Sequence, residues 1–179
     1  MAGATPRVVA IVCVLAAALA APSVAAESAP RSRTASLDAF ERSIVQEING
    51  LRRARGLRPL RLSRGLSTAA DAHTRAILRT GVFAHELPGG PKVLTRLRRH
   101  YPPLRRGRWA VGENIAALSP PASAHEIVAM WLASPSHRRT LYARLWRDVG
   151  LGAVAVESAP GVFGGEAMTV VTADFGVRR

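Results

Sequence analysis

Three short segments carry the side chains best suited to chemistry. They are Phe83-Ala84-His85, Gly112-Glu113-Asn114-Ile115, and Ser134-Pro135-Ser136-His137-Arg138 downstream of Trp131. Two neutral imidazoles, His85 and His137, and one carboxylate, Glu113, are a workable ligand set for a divalent metal such as zinc, with a fourth position left to water. An ion held that way polarises a carbonyl or activates the water. The three residues are spread from position 85 to position 137, so spacing alone does not join them. Read singly, they have plainer duties. Glu113 and Asn114 can satisfy backbone groups where a strand leaves a loop, and His137 can pack and hydrogen-bond at a helix end. His73 falls at helical spacing with Leu66, Ala70 and Ile77, which reads as a hydrogen-bonded core histidine or as support behind a cleft. His100 and His125 read as exposed.

Other apparent motifs fail on context. His125-Glu126 begins like a zinc-protease helix, but four residues on stands Ala129 where the second histidine should be. Gly150-Leu151-Gly152 resembles part of a dinucleotide fingerprint, yet alternating strand residues follow it rather than a helix. Ser134 and Ser136 lie near His137 without a nucleophile-elbow pattern or an obvious acid to orient the imidazole.

The elements that must position these residues follow from hydrophobic period. Leu37, Phe40, Ile44, Ile48 and Leu51 predict a helix over about Leu37 to Arg55, stopped by Gly56. Ser63 is an N-cap for a second helix over Arg64 to Thr80, which Gly81 ends. Val93, Leu94 and Leu97 predict a short basic helix to His100, broken by Pro102-Pro103. A helix over Ala122 to Ala133 buries Ile127, Val128 and Trp131, and Pro135 opens another that carries His137. The period then becomes two: Val149 to Val156 and Thr169 to Phe175 read as a hairpin, with Gly112 to Ala116 as a third strand. Trp131 and Trp146 are expected in the core and Trp109 nearer solvent. Helices followed by a hairpin predict an α+β domain, with helices flanking a small antiparallel sheet of about three strands.

In this order and with these helices between them, the three segments resemble those of the CAP superfamily (cysteine-rich secretory, antigen 5 and pathogenesis-related proteins), in its SCP-like bacterial branch. The likeness runs from about Leu37 to Gly176. It implies an α-β-α sandwich and a cleft lined by two histidines and two acids. His85, Glu113 and His137 match three of those positions, with Asn114, Ser134, Ser136 and His73 in support. The second acid, normally one helical turn after the tryptophan, is here Ser134, so the resemblance implies an incomplete tetrad. His85, Glu113 and His137 are then the expected metal ligands, if a metal such as zinc binds.

Bulk properties set the surroundings. Arg7, the apolar run Val8 to Ala20 and the small residues Ser23 to Ala26 read as a signal peptide (1–26), cleaved after Ala25 or Ala26. An uncleaved anchor is the rival reading, disfavoured because the run is short. Cys13 follows Val12 inside that run and is no lipidation site. It is the only cysteine, so a mature exported domain has no disulfide. Residues 27–36 read as a flexible linker and 37–179 as one domain, expected to be a monomer. The 179 residues carry a formal net charge of +13, which attracts polyanions such as anionic envelope components. The interleaved aromatics of a nucleic-acid platform are missing. The leading expectation is a secreted binding module with a His/Glu cleft that takes a lipid, a peptide or a wall fragment. The alternatives are a metal-assisted hydrolase on peptides or wall polymers, and a purely electrostatic adhesion protein.

Overall fold

Helix α1 (Ala39–Ala54) starts from a capping box in which Asp38 and Glu41 each accept the other's backbone N–H. The structure, a computed structural model, describes residues 38–179. The signal peptide, the linker and Leu37 therefore lie outside the described residues. A two-residue strand β1 (Arg61–Leu62) leads into α2 (Arg64–Thr80), capped by Ser63 and ended by Gly81 in the left-handed region. Then come α3 (Val93–His100), β2 (Trp109–Leu118), α4 (Ala124–Ala133), α5 (Pro135–Tyr142), β3 (Asp148–Val156) and β4 (Met168–Arg178). Helix α4 starts two residues later than its apolar pattern suggests, because Ser123 and Glu126 form a second capping box. Both β2 and β4 extend beyond the strands read from the sequence.

The four strands form one sheet in the order β1-β3-β4-β2. β2, β3 and β4 are antiparallel, as expected for the three main strands. The expectation of a purely antiparallel sheet needs one correction: β1 adds a parallel edge to β3, with Arg61 opposite Asp148. Its cause is a side chain. Asn49 of α1 pairs with the backbone of Leu60 through both amide atoms (2.7 and 3.0 Å), which lays the following residues alongside β3. Two residues are too few to show a period.

The pleat sorts the sheet into two faces. Val149, Leu151, Ala153, Val171, Ala173, Phe175 and Val177 pack with Ile44, Ile48, Ile127, Trp131 and Leu141 of α1, α4 and α5. Trp131 is fully buried and its indole N–H donates to the carbonyl of Ile115 (2.9 Å). Trp146 stacks on Phe175, and Trp109 is only partly buried, as expected. The other face lies under α2 and α3. A Cβ on Gly150 or Gly152 would overlap the α2 backbone at Leu66–Ser67 or Ala70–Asp71, so those glycines let the helix sit directly on β3. Thr74 of α2 hydrogen-bonds both the Gly152 carbonyl (2.9 Å) and Thr172 (2.8 Å). His125 is exposed, as expected. His100 is half-buried instead, because α3 ends with its carbonyl against Gly65, where a side chain would collide.

Candidate functional site

β2 is an edge strand, and Glu113 and Asn114 are neighbours on it. Alternation sends their side chains to opposite faces, so each takes its partners from a different layer. Asn114 is buried toward α5, where its Nδ2 donates to the carbonyl of His137 (3.1 Å). Glu113 enters the α2/α3 layer and becomes a hub. Its Oε1 accepts from Nδ1–H of His85 at 2.7 Å, and its Oε2 accepts from Nη2 of Arg96 at 2.5 Å. The carboxylate is 2% exposed while His85 remains 45% exposed, so the imidazole is the part of this pair that solvent reaches.

His73 stands behind that pair. It is buried, with Nε2 3.2 Å from the Ala84 carbonyl and 3.9 Å from Oε1 of Glu113. It is a hydrogen-bonded core histidine, and it also fixes the residue next to His85. The loop bearing His85 is tied down at its start as well. The Gly81 carbonyl accepts from Val162, and Phe83 packs edge-on against Phe163 at 6.1 Å. From the opposite layer α5 brings His137, whose ring centroid is 6.3 Å from that of His85. Ser134 and Ser136 at the start of α5 hydrogen-bond each other (3.1 Å).

Two members of the cluster escaped the sequence reading. Arg96, in the short basic helix read from the sequence, turns inward from α3 and keeps only 11% of its side chain exposed. Asp174 on β4 stands directly opposite Glu113 in the strand register and is completely buried, 3.8 Å from Nη1 of Arg96. The second buried acid therefore comes from the last strand and not from position 134. A signal for it was present: Asp174 is the one charge inside the apolar run Thr169 to Phe175.

Electrostatics separate the two acids. Burial pushes Glu113 up, but the His85 hydrogen bond and the Arg96 charge outweigh it and hold the carboxyl below its ordinary range. Burial, then the negative charge of Glu113, pushes Asp174 well above the carboxylate range. The two acids are pushed apart, Glu113 toward its ionised form and Asp174 toward its protonated one. Burial lowers His73 against the pull of Glu113. Burial, then His85, also lowers His137. Both imidazoles are neutral at neutral pH. Five buried polar atoms have no hydrogen-bond partner: Arg96 Nη1 and both carboxyl oxygens of Asp174 on one face of the sheet, and Asn114 Oδ1 and His137 Nδ1 on the other.

Residues 45–174 match the family described as CAP, the cysteine-rich secretory protein family. The chain belongs to the CAP family. The uncharacterized protein YkwD of Bacillus subtilis is 28% identical over 126 residues, 69% of this chain and 46% of that protein. The chain thus spans less than half the length of that relative. An extracellular protein of Bacillus anthracis with an SCP domain shares the fold at 24% identity and a TM-score of 0.59, over 78% of this chain and 40% of that one. An outer surface protein of Borrelia burgdorferi does so at 20% identity and 0.58, over 76% and 90%. The α+β arrangement of helices about the sheet is therefore the CAP fold, and the matched span includes both Glu113 and Asp174.

A three-ligand metal centre does not fit this CAP cluster. Both oxygens of Glu113 are occupied, and the Arg96 guanidinium stands beside the carboxylate on which a cation would have to bind. Among the described residues no group of three His, Cys, Asp or Glu side chains is arranged to hold a metal ion. The hydrogen bond to Nδ1 of His85 gives Glu113 the role of orienting that imidazole.

Proposed function

We propose that this CAP domain is an extracellular binding module whose cleft, at the β2 edge between His85 and His137, takes a peptide or glycan fragment of the cell envelope. The observation that carries the reading is the approach of His85 and His137 from the two layers, with ring centroids 6.3 Å apart, where His85 is open to solvent and Nδ1 of His137 lacks a hydrogen-bond partner. Buried polar atoms without a partner are rare in folded proteins, and a ligand's hydroxyl or amide group, or a water that it displaces, would satisfy Nδ1 of His137. Glu113, with both oxygens engaged, has none free to meet a ligand, so its part is to orient the exposed His85 imidazole. Export is supported by the N-terminal apolar stretch and by the extracellular and outer-surface descriptions of two structural neighbours. No helix among the described residues is long and apolar enough to cross a membrane. The high positive charge keeps the domain near anionic envelope material.

The test is calorimetric titration of the domain with soluble peptidoglycan fragments, beside His137→Ala and Glu113→Gln. Saturable binding that both variants weaken at least about tenfold is the expected result, since each removes a charged or hydrogen-bonding group from a desolvated site. Binding of equal strength in all three proteins, or no saturable binding, would overturn the cleft reading.

A further inference from the structure

A second surface, which shares helix α3 with the cleft cluster, combines apolar and basic side chains in a way that a solvated charged face does not require. Six large hydrophobic side chains are exposed among the described residues. Three of them, Leu62, Leu94 and Leu104, lie in two neighbouring grooves, each with more than half of its surface in water. One groove, of about 490 Å³, is lined by Leu62 and Leu104 together with Arg61, Arg64 and Arg178. The other, of about 440 Å³, is lined by Leu94 with Arg98, Arg99 and the edge of Trp109.

Tyr101 sits between the grooves and joins them. Its carbonyl accepts from the Trp109 indole (2.8 Å), its ring lies 4.3 Å under the Arg178 guanidinium, and Trp109 and Arg178 are partners in the β2–β4 register. Two acids lie nearby. Asp148 is buried and held by Tyr101 (2.6 Å) and Arg61, and Glu86 accepts from the backbone N–H of Val93 at the start of α3. Arg61 is thereby paired, whereas Arg64, Arg98, Arg99 and Arg178 form no ion pair among the described residues and leave the face net positive.

We propose that this face, made by α3, the loop after it and the start of α2, binds the surface of an anionic phospholipid bilayer. Arginines attract the phosphate headgroups, and exposed leucines beside them reach past the headgroups into the acyl boundary. A half-buried tryptophan suits the same interface, with its polar edge satisfied and its ring apolar. A soluble phosphate polymer would use the arginines and leave the leucines without a purpose. The proposal specifies the partner within the envelope-retention part of the reading above and is independent of what the cleft binds.

The experiment is co-sedimentation with phosphatidylglycerol–phosphatidylcholine vesicles and with phosphatidylcholine vesicles, alongside binding to soluble polyphosphate. Wild type is expected on the anionic vesicles only. Leu94→Ser combined with Leu104→Ser should weaken vesicle binding at least about tenfold while leaving polyphosphate binding unchanged, because serine removes only the inserted apolar surface. Arg98→Gln combined with Arg99→Gln should weaken both. All four positions are exposed, so folding is not at stake, and far-ultraviolet circular dichroism verifies it. If the leucine variant sediments with vesicles as wild type does, the membrane assignment falls and retention by charge alone stands. If neither vesicles nor polyphosphate bind, both fall, whatever the cleft titration shows.

Discussion

The two faces of the sheet are built on opposite terms. Toward α1, α4 and α5 every inward position of β3 and β4 from Val149 and Val171 onward is aliphatic or aromatic. Toward α2 and α3 the same strands present Asp148, Gly150, Gly152, Thr172, Asp174 and Gly176 at one end and the apolar Val154, Val156 and Val170 at the other, and β2 adds Glu113. The first face follows the rule that burial of apolar area is what stabilises a domain. The second buries two acids and an arginine, which costs stability unless geometry compensates. A single alternating strand can therefore carry a folding surface and a functional surface back to back.

Substitutions measure how unequal the faces are. On the apolar side, Trp131→Ala should cost about 3–5 kcal/mol in urea unfolding, from cavity and lost burial together. On the polar side, Arg96→Met leaves Glu113 buried with only its His85 bond and should cost about 3 kcal/mol. A cost near zero would mean that water already compensates the cluster, and the contrast between the faces would dissolve. Thr172→Val is a finer probe. It removes one partner of Thr74, which keeps its bond to the Gly152 carbonyl, so a loss of about 1 kcal/mol is expected.

The smallest effects are in the pH dependence, and they have opposite signs. Asp174 holds its proton in the folded state above the ordinary value of 3.8, so the folded protein binds more protons than the unfolded one and stability falls as pH rises through that window. Asp174→Asn should flatten this fall in urea melts between acid and neutral pH, and should make the variant the more stable of the two at neutral pH. His73 is the reverse case. Its value is lowered from 6.5, so the unfolded chain takes up the proton first and stability is lost as pH drops below that value. His73→Gln should reduce the loss between pH 7 and 5, about the window set by an ordinary histidine. Equal slopes in variant and wild type would show that burial of these groups is not what sets the titration.

Local pattern alone determined a good deal about this protein. Apolar residues at helical spacing, with Ser63 before and Gly81 after the second helix, set the helices to within a turn. The alternation of residues 149 to 156 placed Val149, Leu151 and Ala153 on one face, because a strand's side chains must alternate. His85, Glu113 and His137 were singled out by short segments that resembled a family. Tertiary structure decided the rest. That Glu113 faces Asp174 depends on the register of two strands distant in the chain. That Arg96 turns inward while Arg98 and Arg99 stay in water depends on where α3 rests against α2 and β2. A two-residue strand exists because Asn49 reaches the Leu60 backbone from another element. Spacing encodes which way a side chain points from its own helix or strand. What it meets there is set by long-range packing, and a buried charge is tolerated only when that packing delivers its partner.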